Sequence, residues 1–175
     1  MYGANLLLET EPDLDDILAA LELEFMDGPA PEVVFCGFGE PTMRLQEVLA
    51  VTEWLRLRRL PSRLNTNGHG GLLSPEVDVP ASLATAGLDA VSVSLNAADP
   101  FVYDRICRPT FSKAHRAAIR FAEECVGHGI TTTITVVDRP DADTAGCEAI
   151  AARIGAGFRI RSLIEPPTGS GGEAE

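Results

Sequence analysis

The sequence predicts an α/β protein in which parallel strands form a partial, open barrel with helices packed on one side. Three observations carry this expectation. Short β-rich runs alternate with longer runs of helical period, as a repeating strand–helix chain requires. Each switch carries Gly, Pro or Asn turn chemistry. Along the strands, apolar residues alternate with polar ones, so one face packs helices and the other does not.

The first helix is expected from Thr10, with Thr10 as cap, Pro12 in the first turn, and Glu11, Asp13 and Asp15 facing the positive end of the helix dipole. Its apolar stripe is Leu14, Ile17, Leu18, Leu21 and Phe25, and Gly28-Pro29 ends it. A strand over Glu32 to Cys36 breaks at Gly37-Phe38-Gly39-Glu40-Pro41-Thr42. A helix with Leu45, Val48, Leu49 and Leu55 on one face follows. The pattern recurs as strand Arg63 to Asn67, a glycine-rich break over Gly68 to Gly71, a short helix near Pro80 to Ala86, and strand Ala90 to Asn96. A helical stretch from Phe111 to Val126 turns Ala114, Ala117, Ala118, Phe121, Ala122 and Cys125 inward. Strand Thr131 to Val137, a helix after Asp141 carrying Cys147, Ile150, Ala151 and Ile154, and strand Phe158 to Leu163 complete the ordered part. One domain is expected over residues 1–165, and the Pro/Gly/Ser/Glu tail over 166–175 is expected to be disordered.

Five such strands admit an open doubly wound sheet or an arc of a barrel. Strands buried on both faces read as continuous Val, Ile and Leu. Here Val91, Val93 and Leu95 oppose Ser92, Ser94 and Asn96; Leu64 and Thr66 oppose Asn65 and Asn67; Arg159 and Arg161 oppose Ile160 and Ser162. A polar inner face suits an arc lining a cavity for a polar ligand. The remaining alternative is a one-sided sheet facing water.

Composition bounds the function. Hydrophobic residues make up 45% and charged residues 23% of 175, which suits a soluble globular chain. No apolar run approaches the ~20 residues of a membrane span, and the amino terminus lacks the features of a secretory signal, so a cytoplasmic location is expected. A net charge of −12, with no Lys or Arg before Arg44, opposes nonspecific nucleic-acid binding, which runs on phosphate neutralisation. Cys36, Cys107, Cys125 and Cys147 show no CxxC or CxxxC spacing. They are expected to be buried and reduced rather than metal ligands.

In parallel α/β folds the carboxyl ends of the strands carry the site. The loop Gly37 to Thr42 is placed there: its glycines admit close backbone approach, and Glu40 offers a carboxylate to an ammonium or hydroxyl. The alternative is a turn that only caps the next helix. It is neither GxGxxG nor a P-loop. Thr66-Asn67-Gly68, Ser94-Leu95-Asn96 and Asp138-Arg139-Pro140 end the following strands. His115 and His128 read as surface or loop residues, and His69, beside Thr66-Asn67-Gly68, is retained as a site candidate. Asp15 and Asp16 read as solvated helix-start charges.

Phe35 to Thr42, Leu64 to Gly68 and Val91 to Ala97, in this order on successive strands, resemble a radical S-adenosylmethionine (radical SAM) domain. Tyr2 to Leu6, Tyr103 to Pro109 and Thr135 to Asp138 further resemble its TatD-associated subgroup. The resemblance implies a parallel-stranded partial (open) TIM-like barrel truncated at its N-terminal strand. It places Gly37, Gly39, Glu40 and Pro41 in the loop that receives the methionine amino group of S-adenosylmethionine. Ser92, Ser94 and Asn96 would approach the ribose and carboxylate, and Asn65, Thr66 and Asn67 would floor the cavity. Arg161 is a candidate partner for a carboxylate. In the family, a reduced 4Fe–4S cluster cleaves S-adenosylmethionine to a 5′-deoxyadenosyl radical that abstracts hydrogen from a small-molecule or peptide substrate, and the cofactor performs that chemistry. The CxxxCxxC loop that holds the cluster is absent from this sequence. The expectation is therefore a carboxyl-terminal part of such an enzyme, inactive as it stands, with a functional link to a TatD-family nuclease. The competing expectations are a non-catalytic S-adenosylmethionine- or nucleotide-binding module, and an unrelated partial-barrel enzyme.

Overall fold

Residues 10–28, 30–37, 39–140 and 142–163 are described by the computed structural model. The Tyr2 to Leu6 motif, Phe38 and the tail over 166–175 lie outside the described residues.

Strands β1 (Val33–Phe35), β2 (Ser62–Thr66), β3 (Ala90–Ser94), β4 (Thr131–Val137) and β5 (Gly157–Arg161) form one sheet in the order β1-β2-β3-β4-β5. All four pairings are parallel. A doubly wound sheet reverses its strand order at a switch point; this sheet advances strand by strand without reversal and is not closed, as an arc of a TIM-like barrel does. Seven helices punctuate the described chain: α1 (Leu14–Glu24), α2 (Leu45–Leu57), α3 (Gly70–Leu73), α4 (Val79–Ala86), α5 (Pro100–Cys107), α6 (Ala114–Gly127) and α7 (Thr144–Ile154).

The core lies between one sheet face and α2, α4, α6 and α7. Leu64, Val91, Val93, Ile134 and Val136 project from the strands and meet Leu45, Val48, Leu83, Phe121, Ala122, Cys125, Ala151 and Ile154. Burying each Val, Leu, Ile or Phe of this layer contributes about 1.5–3 kcal/mol. The opposite face follows the register. Asn65 pairs with Ser92 and Ser92 with Thr133; Ser94 pairs with Thr135 and Thr135 with Arg159. The alternation expected from the sequence is thus the two sides of this sheet.

Three local expectations are corrected. Helix α1 starts at Leu14 and is capped by Asp13, not Thr10. Asp13 accepts from the Asp16 amide at 2.9 Å while Asp16 accepts from the Asp13 amide at 3.3 Å. This reciprocal box satisfies two free amides at once, which Thr10 would not match. The stripe of α1 is only half-buried, and its end is fixed by Phe25 stacked on Trp54 at 6.2 Å, with the Arg58 guanidinium 3.6 Å over the same indole. The break expected over Gly68 to Gly71 is helical in its second half, where Gly70–Leu73 forms a helical turn. Helix α5 has no counterpart in the expected elements; Asp99 caps it through the amides of Phe101 and Val102, and Pro100 occupies its first turn.

Candidate functional site

The loop after β1 is shaped by Glu40. Pro41 opens a 3₁₀ turn, Pro41–Arg44, and Glu40 caps it. Its Oε1 accepts from the Thr42 amide at 3.2 Å, the Thr42 hydroxyl at 2.8 Å and the Thr66 hydroxyl at 2.6 Å. Its Oε2 accepts from the Asn67 amide at 2.8 Å. A carboxylate offers roughly four acceptor positions, and three donors crowd one oxygen, so Oε2 keeps an open direction. Glu40 is therefore a cap, a strut that ties the β1 loop to the end of β2, and an acceptor with spare capacity.

Thr66 points to the helix side and is buried. Its hydroxyl donates to Glu40 and accepts from the Gly68 amide at 3.0 Å. Gly68 has φ +77°, and a Cβ there would lie 2.8 Å from the Ala118 Cα, so only glycine fits between β2 and α6. Asn67 lines the cavity, and its Oδ1 accepts from the His69 amide at 2.9 Å.

His69 is buried with Nε2 3.0 Å from the Tyr103 hydroxyl, and its ring meets Phe111 edge-on at 6.3 Å. Burial pulls its pKa below the ordinary histidine value; the Glu40 charge and the backbone at Ala114 oppose that shift and are outweighed. His115, expected at the surface, is also buried, with Nε2 3.1 Å from the Ala97 carbonyl and its ring 5.2 Å from Tyr103. The apolar face of α6 carries it into the core, and the carbonyl satisfies it there. His128 is exposed at the end of α6, as expected.

At the end of β3, Asn96 sits at φ +60°, its Oδ1 accepts from the Val137 amide at 3.1 Å, and its Nδ2 lies 3.8 Å from the Cys107 sulfur. Asparagine tolerates this left-handed conformation, and its side chain bridges β3 to β4. Ser94 Oγ is 3.5 Å from the Thr135 hydroxyl and 3.5 Å from Arg161 Nη2. Arg161, exposed on β5, thus reaches the same rim.

A cavity of ≈ 600 Å³ opens at these strand ends. Five expected residues line it: Glu40, Asn67, His69, Ser94 and Asn96. Asn65 and Ser92 lie one layer deeper on the polar face; Ser92 is buried, and Asn65 Oδ1 is a buried acceptor with no hydrogen-bond partner among the described residues. Gly37 and Gly39 are exposed, and a Cβ on either meets nothing within 4 Å. Gly39 needs glycine for its φ of +101°, whereas neither conformation nor packing demands it at Gly37. Tyr103, Cys107 and Arg108 also line the cavity, a role the sequence reading did not give them. Burial pushes the Cys107 thiol above its ordinary pKa and the Tyr103 phenol likewise. A second cavity, ≈ 670 Å³, lies on the helical side between residues 71–80 and α6 and holds none of the expected site residues.

The donor set decides what these residues can hold. Cys125 and Cys147 are buried as expected, Cys107 is half-buried, and Cys36 is exposed at the end of β1. Among the described residues no three His, Cys, Asp or Glu gather into a metal site, so they do not fit an iron–sulfur cluster. They do fit an organic ligand bearing an ammonium and hydroxyls, for which Glu40 Oε2 is an open acceptor and Gly37 gives close access to backbone. Among the described residues, no helix is long and apolar enough to cross a membrane. The family model described as Radical SAM superfamily matches residues 6–144, from ahead of α1 into the start of α7. No curated protein matches the chain.

Proposed function

The chain belongs to the radical SAM superfamily, and on that premise we propose that the cavity at the carboxyl ends of its strands binds S-adenosylmethionine. The observation that carries this reading is the convergence of Glu40, Asn67, Ser94 and Asn96, from three separate strand ends, on one cavity. In this reading Gly37, Gly39, Glu40 and Pro41 receive the amino group, with Glu40 Oε2 as the remaining acceptor. Ser94 and Asn96 approach the ribose, and Arg161 takes the carboxylate. Asn65 and Ser92 form the polar floor. Thr66 acts indirectly, by holding Glu40.

S-adenosylmethionine supplies, when bound, a sulfonium carbon–sulfur bond whose reductive cleavage is the reaction expected of the family. The described residues do not offer ligands for the cluster that drives cleavage, and none is assigned a step through it. That same observation favours a second reading, a non-catalytic S-adenosylmethionine- or nucleotide-binding module. The TatD-associated subgroup, and a functional link to a TatD-family nuclease, rest on the Tyr103 to Pro109 and Thr135 to Asp138 motifs. A reducing, cytoplasmic setting is consistent with four free cysteines.

Calorimetric titration of the chain with S-adenosylmethionine tests the proposal. Binding is expected in the wild type and lost in Gly37→Val, whose side chain enters open space and leaves the thermal midpoint unchanged. Equal binding by both proteins would place the ligand elsewhere. Iron and sulfide content after anaerobic reconstitution separates the enzyme reading from the binding module: a 4Fe–4S spectrum supports the first, and its absence with binding intact supports the second.

A further inference from the structure

The Tyr103 to Pro109 motif has no part in the S-adenosylmethionine site proposed above, yet the fold brings it to the same cavity. Helix α5 and the turn after it put Tyr103, Cys107, Arg108 and Pro109 on the cavity wall, facing the strand ends that carry Glu40, Ser94 and Asn96. We propose that this wall is a second subsite, in which Arg108 holds the carboxylate or phosphate of a small organic acid whose apolar body rests on Phe111, Leu73 and Met43. The subsite stands on its own residues; only the identification of the acid as a co-substrate rests on the S-adenosylmethionine reading.

Charge is the first argument. The side chains that line this cavity include two with permanent charge, Glu40 and Arg108. The Glu40 carboxylate already accepts four hydrogen bonds. The Arg108 side chain is exposed and makes no ion pair or hydrogen bond among the described residues, in a chain of net charge −12 where acids outnumber bases 26 to 14. Arg108 is therefore a cation of this lining left without a partner among the described residues, while Glu40 keeps its charge among four neutral donors. A planar guanidinium with its donors free recognises carboxylate and phosphate in two-point fashion.

The backbone gives the second argument. Arg108 sits at φ +46°, ψ +54° where α5 ends, a left-handed position that glycine occupies without strain and arginine does not. Local folding gains nothing from an arginine here. The third argument is the surrounding chemistry. Met43, Leu73 and Phe111 add apolar surface to the same lining. Tyr103, buried and tied to His69 at 3.0 Å, and Cys107 present neutral O–H and S–H groups to the cavity; the Asp104 carboxylate, which acts on both, is exposed and lies outside the lining. Cavities of this size, mostly apolar with a few placed polar groups, are the usual form of small-molecule sites.

The test titrates the full chain calorimetrically with phenyl phosphate, benzoate and phenol, each with and without S-adenosylmethionine. At least one anion is expected to bind tenfold or more tightly than phenol, and the tighter of the two distinguishes a phosphate from a carboxylate ligand. Arg108→Gly relieves the left-handed strain, so its thermal midpoint should hold or rise while the preference for anions disappears; Arg108→Lys should retain only part of it. Gly37→Val should lose S-adenosylmethionine and keep the anion. Phenol binding as tightly as both anions, or anion binding unchanged in Arg108→Gly, would overturn the subsite. A parallel loss of S-adenosylmethionine binding in Arg108→Gly would also overturn it, by assigning Arg108 to that ligand instead. No S-adenosylmethionine binding by the wild type, with anion binding intact, would sink the co-substrate relation and leave the subsite supported.

Discussion

Replacing Glu40 with glutamine keeps the shape of the side chain and removes its charge, so it isolates what the carboxylate does. In the wild type, one oxygen takes three donors and the other takes the Asn67 amide. A glutamine has one acceptor oxygen and one NH₂ donor. If its oxygen stays with the threonines, its NH₂ faces the Asn67 N–H; if it flips, the NH₂ faces three donors. At least one hydrogen bond to a charged group is lost, at about 1.5–3 kcal/mol, and the others weaken on losing the charge. For a half-buried site this amounts to about 2–3 kcal/mol, which in a domain of this size lowers the thermal midpoint by roughly 5–10 °C. Scanning calorimetry of Glu40→Gln measures it. A double-mutant cycle with Thr66→Val then tests the link from the β1 loop to β2, and a coupling of about 1–2 kcal/mol is expected because the two side chains share one hydrogen bond. A midpoint within about 2 °C of wild type, or strict additivity in the cycle, would refute the claim that Glu40 ties these elements together.

The remaining predictions concern other parts of the fold. Gly68→Ala forces a Cβ to within 2.8 Å of the Ala118 backbone at φ +77°, and should cost about 3 kcal/mol or prevent soluble expression; a stable, soluble variant would contradict the close approach. His69 has a folded pKa below its unfolded value of about 6.5, so the unfolded chain binds the proton first. Stability should be full above pH ~6.5 and decline as pH falls toward the folded pKa; urea titrations across that window should show the decline in the wild type and a flatter profile in His69→Gln. Strands β1 and β5 both end the sheet with unpaired edges among the described residues, and Ile160 on β5 is 50% exposed. Concentration-dependent association is expected in sedimentation, reduced by Ile160→Lys; a wild type that stays monomeric at high concentration would contradict it.

Much of the fold was legible in the sequence because parallel α/β architecture writes itself in two periods. The β-branched run Thr131 to Val137, bounded by Gly129 and Pro140, reads as a strand, and the strand there has the same bounds. Helix α6 was similarly visible through its spaced alanines, Phe121 and Cys125. Helix α5 was not, since its eight residues span barely two turns, too few for the period of Val102, Tyr103, Ile106 and Cys107 to stand out; its clearest local signal was the Asp99-Pro100 start. That omission also hid part of the cavity wall, because Cys107 and Arg108 acquire a position only once α5 folds back over the strand ends. Glu40 illustrates a subtler limit. A Gly-rich loop with a carboxylate reads as a binding loop or as a cap; Glu40 caps the turn through Thr42 and is also tied to Thr66 and Asn67 while keeping an open acceptor direction. The last two lie 26 and 27 residues away, a distance at which sequence spacing carries no signal.

The S-adenosylmethionine site proposed at the strand ends of this radical SAM chain is a matter of place as much as of affinity. Amide chemical shifts recorded during titration with S-adenosylmethionine test it most directly, because they report location as well as binding. Shifts are expected at Gly37, Gly39, Asn67, Ser94 and Asn96, with little change at Leu72, Val77 or Arg116 around the other cavity. No shifts at saturating ligand, or shifts centred on Leu72, Val77 and Arg116, would contradict it.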